Sequence, residues 1–469
     1  MRQISLPLGP AALAAALTLA ATLTAPPAAA QTADSARIAA GVDSLAAAAL
    51  AGGRTAGLSI AVSLGGRPLV ARGYGHADLE WKVPTPARAL YQIGSVTKQF
   101  TSAAIMQLVE QGKVNLDADV TTYLPDYDTQ GRKVPVRRLL DHTSGIRSYT
   151  SMPEFDAIQR QTLPRDTLVK LFSKQPFTFE PGASESYNNS GFFLLGLIIE
   201  RVSGQSYADY VKAKLFDRAG MTSARYCSES EVVPGMAHGY SMGERGLVHA
   251  PSITHLWPYA AGSLCASVAD LDAWNQALHG GKILGPAAYA ELIRPGTLND
   301  GTPLRYAKGI AAADLAGRRA LQHGGDIPGF ASHLAYLPES RLSIAVTVNS
   351  QGPARPDAIT RSIAELVHGK RPPTAARPKG KPADYVGAYR GKGGMGEDVT
   401  VNVVTDSAGR LVLRSPFTHP DAPATLAYTG GEAFELDNGM RVTFLRERGR
   451  VARVSVDAIY GLMVLARQP

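Results

Sequence analysis

The sequence has few cysteines and lacks motifs that would define several common enzyme classes. Only Cys227 and Cys265 occur among 469 residues, which excludes a disulfide-rich scaffold and a cysteine-based zinc site. The ten histidines include no His-Glu-x-x-His sequence, and no phosphate-binding P-loop is present. These absences argue against a metallopeptidase and a P-loop nucleotide hydrolase. We therefore expect neither a metal nor a cofactor.

Charged residues are also moderate in number, at 19% against 45% hydrophobic residues, which is typical of a folded globular protein. The length allows two or three domains. A net charge of +8 would suit a nucleic-acid or membrane partner, but much of the excess lies in one short segment, at Lys370, Arg371, Arg377, Lys379 and Lys381. Because the remainder is nearly neutral, we predict no nucleic-acid partner. The oligomeric state does not follow from the sequence.

Residues 1–30 have the pattern of a secretory signal peptide. Met1-Arg2 is a short basic start, residues 11–24 are apolar, and Ala28-Ala29-Ala30 is a small-residue cleavage site. An N-terminal anchor helix is the less favoured alternative, because Pro26-Pro27 ends a run that is too short to span a bilayer. No later apolar run reaches the ~18 residues of a membrane span. We predict a periplasmic or secreted protein with no integral membrane segment after signal removal.

The predicted export affects the expected oxidation state of the two cysteines. An oxidising compartment would permit a disulfide between Cys227 and Cys265. Two buried free thiols are the alternative, since spacing along the chain does not show that the sulfur atoms are close in space.

A basic, proline-rich segment at residues 369–382 divides the rest of the chain. We predict a stiff, solvated linker there, in preference to a polyanion-binding segment. Residues 31–368 combine helical periodicity with strands, whereas residues 383–469 contain short alternating runs separated by glycines. The latter pattern predicts a small antiparallel β domain, with a barrel as one arrangement. The separate linker predicts that a chain ending at His368 keeps its chemistry with altered specificity.

The periodicity before the linker places strands at both ends and helices between them. It predicts helices over residues 34–51, 96–111, 192–202 and 267–278, and strands over residues 57–64, 67–74, 332–337 and 342–348. Such an order indicates one sheet built from both ends of this region.

Ser95 and Lys98 form a nucleophile and base pair at the start of a predicted helix. Residues three apart share a helix face, so the hydroxyl and the amine can come within hydrogen-bond reach. The helix N-terminus would also favour a developing oxyanion beside Ser95. For Lys98 to accept a proton its pKa must fall, which burial and positive potential produce. The alternative is an N-cap serine followed by a surface lysine. Of all the lysines, Lys98 alone has serine three places before it.

Two further segments carry groups that suit the same chemistry. Tyr187-Asn188-Asn189 precedes an apolar helix, and a phenol transfers protons while a carboxamide orients a carbonyl or a lysine. His323-Gly324-Gly325 follows a strand, where glycines let the backbone approach a ligand. Taken alone, the first could be a helix-entry loop and the second a turn beside a structural histidine.

Together, in this order, the three segments resemble the serine β-lactamase and penicillin-binding superfamily, which uses Ser-x-x-Lys, then Tyr-x-Asn or Ser-x-Asn, then Lys/His-Thr/Gly-Gly. The branch with class C β-lactamases, D-Ala-D-Ala carboxypeptidases, D-aminopeptidases and related esterases is most similar. Residues 139–146 (Leu-Leu-Asp-His-Thr-Ser-Gly-Ile) and 261–264 (Ala-Gly-Ser-Leu) also resemble this branch. The resemblance implies an α+β fold: an antiparallel sheet flanked by helices, a helical subdomain holding Tyr187, and then the C-terminal β domain.

The resemblance also implies roles. Ser95 would attack a carbonyl to form an acyl-enzyme, while Lys98 and Tyr187 would share proton transfer, and the sequence does not say which is the base. Asn189 would orient Lys98 and the substrate carbonyl. The backbone N–H groups of Ser95 and Asp326 would form the oxyanion hole, and His323 and Gly325 would border the substrate. His142 is interpreted as a structural residue in a turn.

The third segment departs from class C β-lactamases, which have lysine and threonine where this chain has His323 and Gly324. A histidine is mostly neutral at pH 7, so it would bind a substrate carboxylate weakly. We therefore expect a small-molecule or short-peptide substrate, either a carboxylic ester or a D-amino-acid-containing peptide or amide. A β-lactamase or penicillin-binding D-Ala-D-Ala carboxypeptidase is the alternative enzyme. A catalytically silent binding or scaffold protein is the alternative of another class.

Overall fold

The computed structural model describes residues 28–370, 378, 380–393, 397–416, 424–436, 439–458 and 461–469. Residues 1–27 of the predicted signal peptide and residues 371–377 and 379 of the predicted linker lie outside the described residues, so both features stay predictions. Within the described ranges, no helix is both long and apolar enough to cross a membrane.

The α-helices of the described residues are, in chain order, α1 Ala28–Leu50, α2 Thr97–Glu110, α3 Val136–Leu140, α4 Phe155–Ile158, α5 Arg165–Ser173, α6 Asn189–Ser203, α7 Tyr207–Val211, α8 Asp217–Ala219, α9 Tyr259–Gly262, α10 Val268–His279, α11 Pro286–Leu292, α12 Pro356–His368 and α13 Pro382–Tyr385. The helices predicted over residues 34–51, 96–111, 192–202 and 267–278 correspond to α1, α2, α6 and α10. Ser267 caps α10 rather than belonging to it, through a capping box with Asp270.

The strands are β1 Gly57–Leu64, β2 Arg67–Asp78, β3 Val83–Pro84, β4 Tyr91–Gln92, β5 Glu185–Ser186, β6 Arg225–Tyr226, β7 Tyr240–Gly243, β8 Gly246–His249, β9 Leu264–Ala266, β10 Ala311–Leu315, β11 Arg318–Ile327, β12 Phe330–Leu337, β13 Leu342–Val348, β14 Ser350–Gln351, β15 Gly387–Lys392, β16 Asp398–Thr405, β17 Leu411–Arg414, β18 Ala424–Thr425, β19 Ala427–Gly430, β20 Ala433–Glu435, β21 Arg441–Glu447, β22 Arg450–Asp457 and β23 Gly461–Arg467.

One antiparallel sheet forms the centre of the region before the linker, in the order β10-β11-β12-β13-β1-β2-β3. Strands β1 and β13 pair along their length, with Leu58 opposite Val348, so the sheet does join both ends of this region, as the sequence predicts. Both strands are buried on both faces because α1 and α12 cover one side, while α10 packs on the other. Covered on both sides, these strands are nearly continuous apolar runs.

Helix α2 lies at the centre of the helical side and is buried from Thr97 to Leu108. The ring of Phe100 stacks on Trp274 of α10 with centroids 4.0 Å apart. Replacing a buried phenylalanine such as Phe100 by alanine would cost about 3–5 kcal/mol of stability. The helix that follows Ser95 is therefore a rigid support for the residues at its N-terminus.

The C-terminal residues form a second antiparallel sheet, in the order β18-β17-β16-β15-β23-β22-β21-β20-β19, and this nearly closed sheet resembles a barrel. Alternate residues of β16 are buried, and its core includes Tyr389, Val401, Phe444 and Val454. This confirms the small antiparallel β domain. Strand β23 also pairs with β5, which belongs to the helical side of the first region.

Candidate active site

Ser95 lies in a 3₁₀ turn, Gly94–Val96, that leads directly into α2. Gly94 has φ +50, and a Cβ atom on it would lie 2.9 Å from the backbone nitrogen of Asp326. Glycine is therefore required before the serine, both for the backbone conformation and for the approach of β11. The sequence placed Ser95 at the helix start, and the structure has it in the turn just before Thr97.

Lys98 is completely buried at the foot of this turn. Its Nζ lies 3.1 Å from Oγ of Ser95, 2.7 Å from Oδ1 of Asn189 and 2.8 Å from the carbonyl oxygen of Ala261. All three partner atoms are neutral oxygens. Burial lowers the pKa of Lys98 well below its ordinary value, because the charged amine loses its hydration.

The start of α6 brings Tyr187 and Asn189 to the same place. Asn188 caps the helix by accepting a hydrogen bond from Gly191, and this fixes the direction in which Asn189 points. The half-buried Tyr187 ring lies with its centroid 4.7 Å from Nζ of Lys98. The structure thus assembles Ser95, Lys98, Tyr187 and Asn189 around one point.

The third segment runs along β11 beside the serine. Strand β10 pairs with β11 as far as Gln322, which lies opposite Ala311. A Cβ atom on Gly325 would lie 2.0 Å from the carbonyl oxygen of Ile93. Gly325 therefore allows β11 to lie directly against the Ile93–Ser95 backbone, which puts the backbones of Ser95 and Asp326 next to each other.

His323 is buried behind this strand, with 1% of its surface exposed. Its Nδ1 bonds the carbonyl of Gly324, and its Nε2 lies 2.9 Å from the hydroxyl of Tyr306. Burial, together with the nearby Lys98, lowers the pKa of His323 to about 3. His323 is therefore neutral and provides no positive charge for a substrate carboxylate.

His142 lies beneath Tyr187, in the turn that the sequence indicated. It adopts φ 61, and its Nδ1 accepts a hydrogen bond from the backbone N–H of Asn188. Its ring packs 4.5 Å from those of Tyr187 and Tyr306. Tyr306 was not predicted from the sequence, because no local motif marks a residue that joins the site only through tertiary contacts.

A cavity of about 180 Å³ opens in front of the serine. The described residues that line it are Gly94, Ser95, Tyr149, Thr150, Phe155, Gln159, Asn189, Ile253, Pro258, Ala261, Gly262, Asp326, Ile327 and Pro328. Among them are aromatic and aliphatic side chains but no lysine, arginine or histidine. Burial raises the pKa of Asp326. The cavity is therefore suited to an apolar group and lacks a cation for an anionic one.

Groups that could hold a metal lie elsewhere. Asp78, Glu80 and His238 have ligand atoms within 4.8 Å of one another, largely at the surface. His238 pairs with Asp78 at 3.3 Å and His249 pairs with Glu80 at 2.9 Å, so these side chains already satisfy one another. The cluster has no residue in common with the Ser95 cavity.

Cys227 and Cys265 form a disulfide. Cys265 belongs to β9, which pairs with β4 so that Cys265 lies opposite Gln92, three residues before the serine. Of the two alternatives left open by the sequence, the structure has the disulfide and not two free thiols.

A Gly-x-Ser-x-Gly pattern, typical of the α/β-hydrolase nucleophile elbow, occurs at residues 239–243. An elbow requires a sharp turn from a strand into a helix. Ser241 instead lies within β7, paired with Val248 of β8 in a hairpin. Its context is therefore that of an ordinary strand residue.

Four features of this site together define a class of proteins, the serine β-lactamases and penicillin-binding proteins. They are a serine before a buried helix, a lysine one turn later, a Tyr-x-Asn at a second helix and a glycine-bearing strand edge. The chain belongs to the Beta-lactamase family, whose model matches residues 42–368. The resemblance inferred from the three segments is thereby confirmed. Members of this family are serine hydrolases.

Individual relatives extend the comparison. The D-aminopeptidase of Gluconobacter oxydans (strain 621H) is 30% identical over 301 residues, which cover 64% of this chain and 57% of that protein. Penicillin-binding protein 4* of Bacillus subtilis (strain 168) is 27% identical over 380 residues, covering 74% of this chain and 83% of that protein. The octameric penicillin-binding protein homologue from Pyrococcus abyssi superposes with a TM-score of 0.62 at 25% identity, over 90% of this chain and 99% of that chain. The chain thus spans little more than half of the D-aminopeptidase.

Proposed function

We propose that this protein is an exported serine hydrolase that forms an acyl-enzyme on Ser95 with carboxylic esters or D-amino-acid-containing peptides and amides. The observation that carries the proposal is the environment of Lys98. Lys98 is completely buried and contacts the serine hydroxyl, and the loss of hydration favours its neutral amine, which is the form able to accept a proton.

The hydrogen bonds of Lys98 support a first proton transfer from Ser95 to the neutral amine. A neutral amine has two N–H donors and one lone pair. Oδ1 of Asn189 and the carbonyl oxygen of Ala261 only accept, so they take both donors of Lys98. The lone pair of the neutral amine then faces Oγ of Ser95, 3.1 Å from Nζ, and can accept the hydroxyl proton. We therefore propose Lys98, in preference to Tyr187, as the base that activates Ser95.

The remaining steps use the neighbouring groups. As Ser95 attacks the carbonyl, the oxyanion is held by the backbone N–H groups of Ser95 and Asp326, an interaction worth about 10²–10³ in rate per donor. Tyr187, beside Lys98, passes the proton to the departing alcohol or amine. Water then attacks the acyl-enzyme by the reverse path.

The cavity favours one group of substrates within the family. Apolar side chains from Tyr149, Phe155 and Ile253 suit a hydrophobic acyl group or side chain, and the part of the lining that the structure describes includes no cation. A neutral His323 does not supply one. We therefore place esters and amine-bearing D-amino-acid amides ahead of substrates with a free carboxylate. The 30% identity to a D-aminopeptidase supports the amide substrates.

Intact mass and turnover test this proposal. The wild-type chain should hydrolyse p-nitrophenyl acetate and D-alanine p-nitroanilide faster than benzylpenicillin or a peptide ending in D-Ala-D-Ala. The Ser95→Ala variant should lose all turnover and any acyl adduct, whereas Ser44→Ala, on the far helix α1, should match the wild type. Penicillin turnover that exceeds ester and amide turnover would favour the β-lactamase alternative. If none of these four substrates is turned over or forms an adduct, the proposal of an enzyme is contradicted and a binding protein is favoured.

A further inference from the structure

The C-terminal β domain contacts the segment that carries Tyr187. Strand β23 pairs antiparallel with β5, placing Gly461 opposite Ser186 and Leu462 opposite Glu185. Tyr187 is the next residue after β5. The short strand that delivers the tyrosine to Lys98 is therefore hydrogen-bonded to the C-terminal sheet.

A second contact joins Arg305 to the C-terminal domain. Nε of Arg305 lies 2.6 Å from Oδ2 of Asp457, its Nη2 donates to the carbonyl of Asp457 at 2.7 Å, and its Nη1 donates to the carbonyl of Gly439 at 3.2 Å. The side chains of Arg305 and Asp457 are only 13% and 14% exposed. A forked guanidinium held at three points fixes the orientation of its backbone far better than a surface ion pair does.

Arg305 precedes Tyr306, whose hydroxyl bonds His323 and whose ring packs on His142. The ring of His142 in turn packs on Tyr187. Buried leucines close the same interface, since Leu298 and Leu304 pack with Leu462 of β23. Two chain segments that border the Tyr187 ring are thus both held by the C-terminal domain.

From these contacts we infer that the C-terminal β domain positions Tyr187 for proton transfer, through the β23–β5 pairing and through Arg305 and Asp457 as positioning residues. This inference rests on the proposed function. The described residues that line the Ser95 cavity all precede residue 329, so we expect the domain to act on the chemical step and not on substrate binding in that cavity. The separate linker predicted that the chemistry would be kept without the C-terminal domain. The contacts lead to the opposite expectation, that kcat depends on this domain.

Full-chain variants test the inference with a p-nitrophenyl ester. We expect Arg305→Met and Asp457→Asn each to lower kcat by about 10- to 100-fold, because misplacing a catalytic group by about 1 Å can cost that much. KM should stay within about twofold. Arg305→Lys, which keeps the charge without the fork, should retain an intermediate kcat. The matched control is Arg318→Met, which breaks the exposed Arg318–Glu339 pair at the start of β11 and should leave kcat unchanged.

Hydrogen exchange of residues 185–189 supplies a readout that does not require activity. Exchange should accelerate in Arg305→Met and Asp457→Asn and stay constant in Arg318→Met. Any of three results in Arg305→Met and Asp457→Asn would overturn the inference. These are unchanged exchange, unchanged kcat with a lower Tm, and a raised KM at constant kcat. A wild type that does not react with the ester at Ser95 would instead contradict the proposed function, and the exchange result would still decide the positioning.

Discussion

The α-carbon of Gly325 faces the carbonyl oxygen of Ile93 so closely that no side chain fits between them. A Cβ atom there would lie 2.0 Å from that oxygen and 2.5 Å from Oγ of Ser332, which donates a hydrogen bond to the same oxygen. Strand β11 can therefore pack against the turn that precedes the serine only because residue 325 has no Cβ atom.

Replacing Gly325 by alanine should displace β11 from the turn that holds Ser95. The N–H of Asp326 would then leave the position of the oxyanion, and we expect kcat to fall by about 10²–10³-fold. Steady-state kinetics with an ester measures the loss. Arg319→Ala, exposed on the same strand, should leave kcat unchanged. Full activity in Gly325→Ala would show that this strand does not contribute to the site.

Asn189→Asp should shift the pH dependence of the reaction. A carboxylate 2.7 Å from Nζ would favour the charged amine and raise the pKa of Lys98 by about 1–3 units. In the proposed mechanism the neutral amine is the active form, so the acidic limb of kcat/KM should move to higher pH by the same amount. The exposed Asn115→Asp is the control. An acidic limb that does not move in Asn189→Asp would contradict Lys98 as the base.

Glu185 gives the fold a pH-dependent stability. The carboxyl is 1% exposed and its Oε1 has no hydrogen-bond partner among the described residues. Burial is the main cause that raises the pKa of Glu185 well above 4.5, and the negative charges of Asp457 and Asp141 add to it. The positive charge of Arg305 acts in the opposite direction.

The native state therefore favours the protonated carboxyl. Its stabilisation is complete below about pH 4.5 and is lost as the pH rises through the native pKa. The neutral variant Glu185→Gln should thus gain in Tm relative to the wild type as the pH rises. Thermal unfolding across pH 4–9 measures the difference, with the exposed Glu154→Gln as the control. A constant Tm difference would contradict the raised pKa.

Loss of the disulfide should destabilise the chain. The bond between Cys227 and Cys265 closes a loop with a sequence separation of 38. Restricting such a loop in the unfolded state stabilises the native state by about 3–4 kcal/mol in the chain-entropy model. Urea unfolding of Cys227→Ala/Cys265→Ala should show a loss of this order, and a reductant should lower the stability of the wild type only. Two thiols titratable in the unreduced, unfolded wild type would contradict the bond.

Most of the fold could be predicted from the sequence because local pattern and tertiary structure agree. The run of residues 57–64 is β1 to the residue, since a strand covered on both faces is apolar throughout. Strand β2 continues to Asp78, four residues past the prediction, because its polar residues pair with β1 and β3 at the sheet edge, where the apolar pattern fades.

The site was predictable where the chemistry is local. Ser95 and Lys98 share one turn, so spacing alone indicated their contact. Nothing local could place Ala261 beside Lys98 or Tyr306 against His323, because these contacts join segments far apart in the chain. The burial that makes His323 neutral likewise depends on tertiary packing.

The pairing of Ser186 with Gly461 joins two residues separated by more than half of the chain. Contacts between distant segments form late in folding, because the entropy of closing a long loop must be overcome first. Helix α2 and its neighbours can be compact before β23 reaches β5. In refolding experiments, catalytic activity should therefore return more slowly than the fluorescence change that reports tryptophan burial. The active site is complete only after β23 has paired with β5.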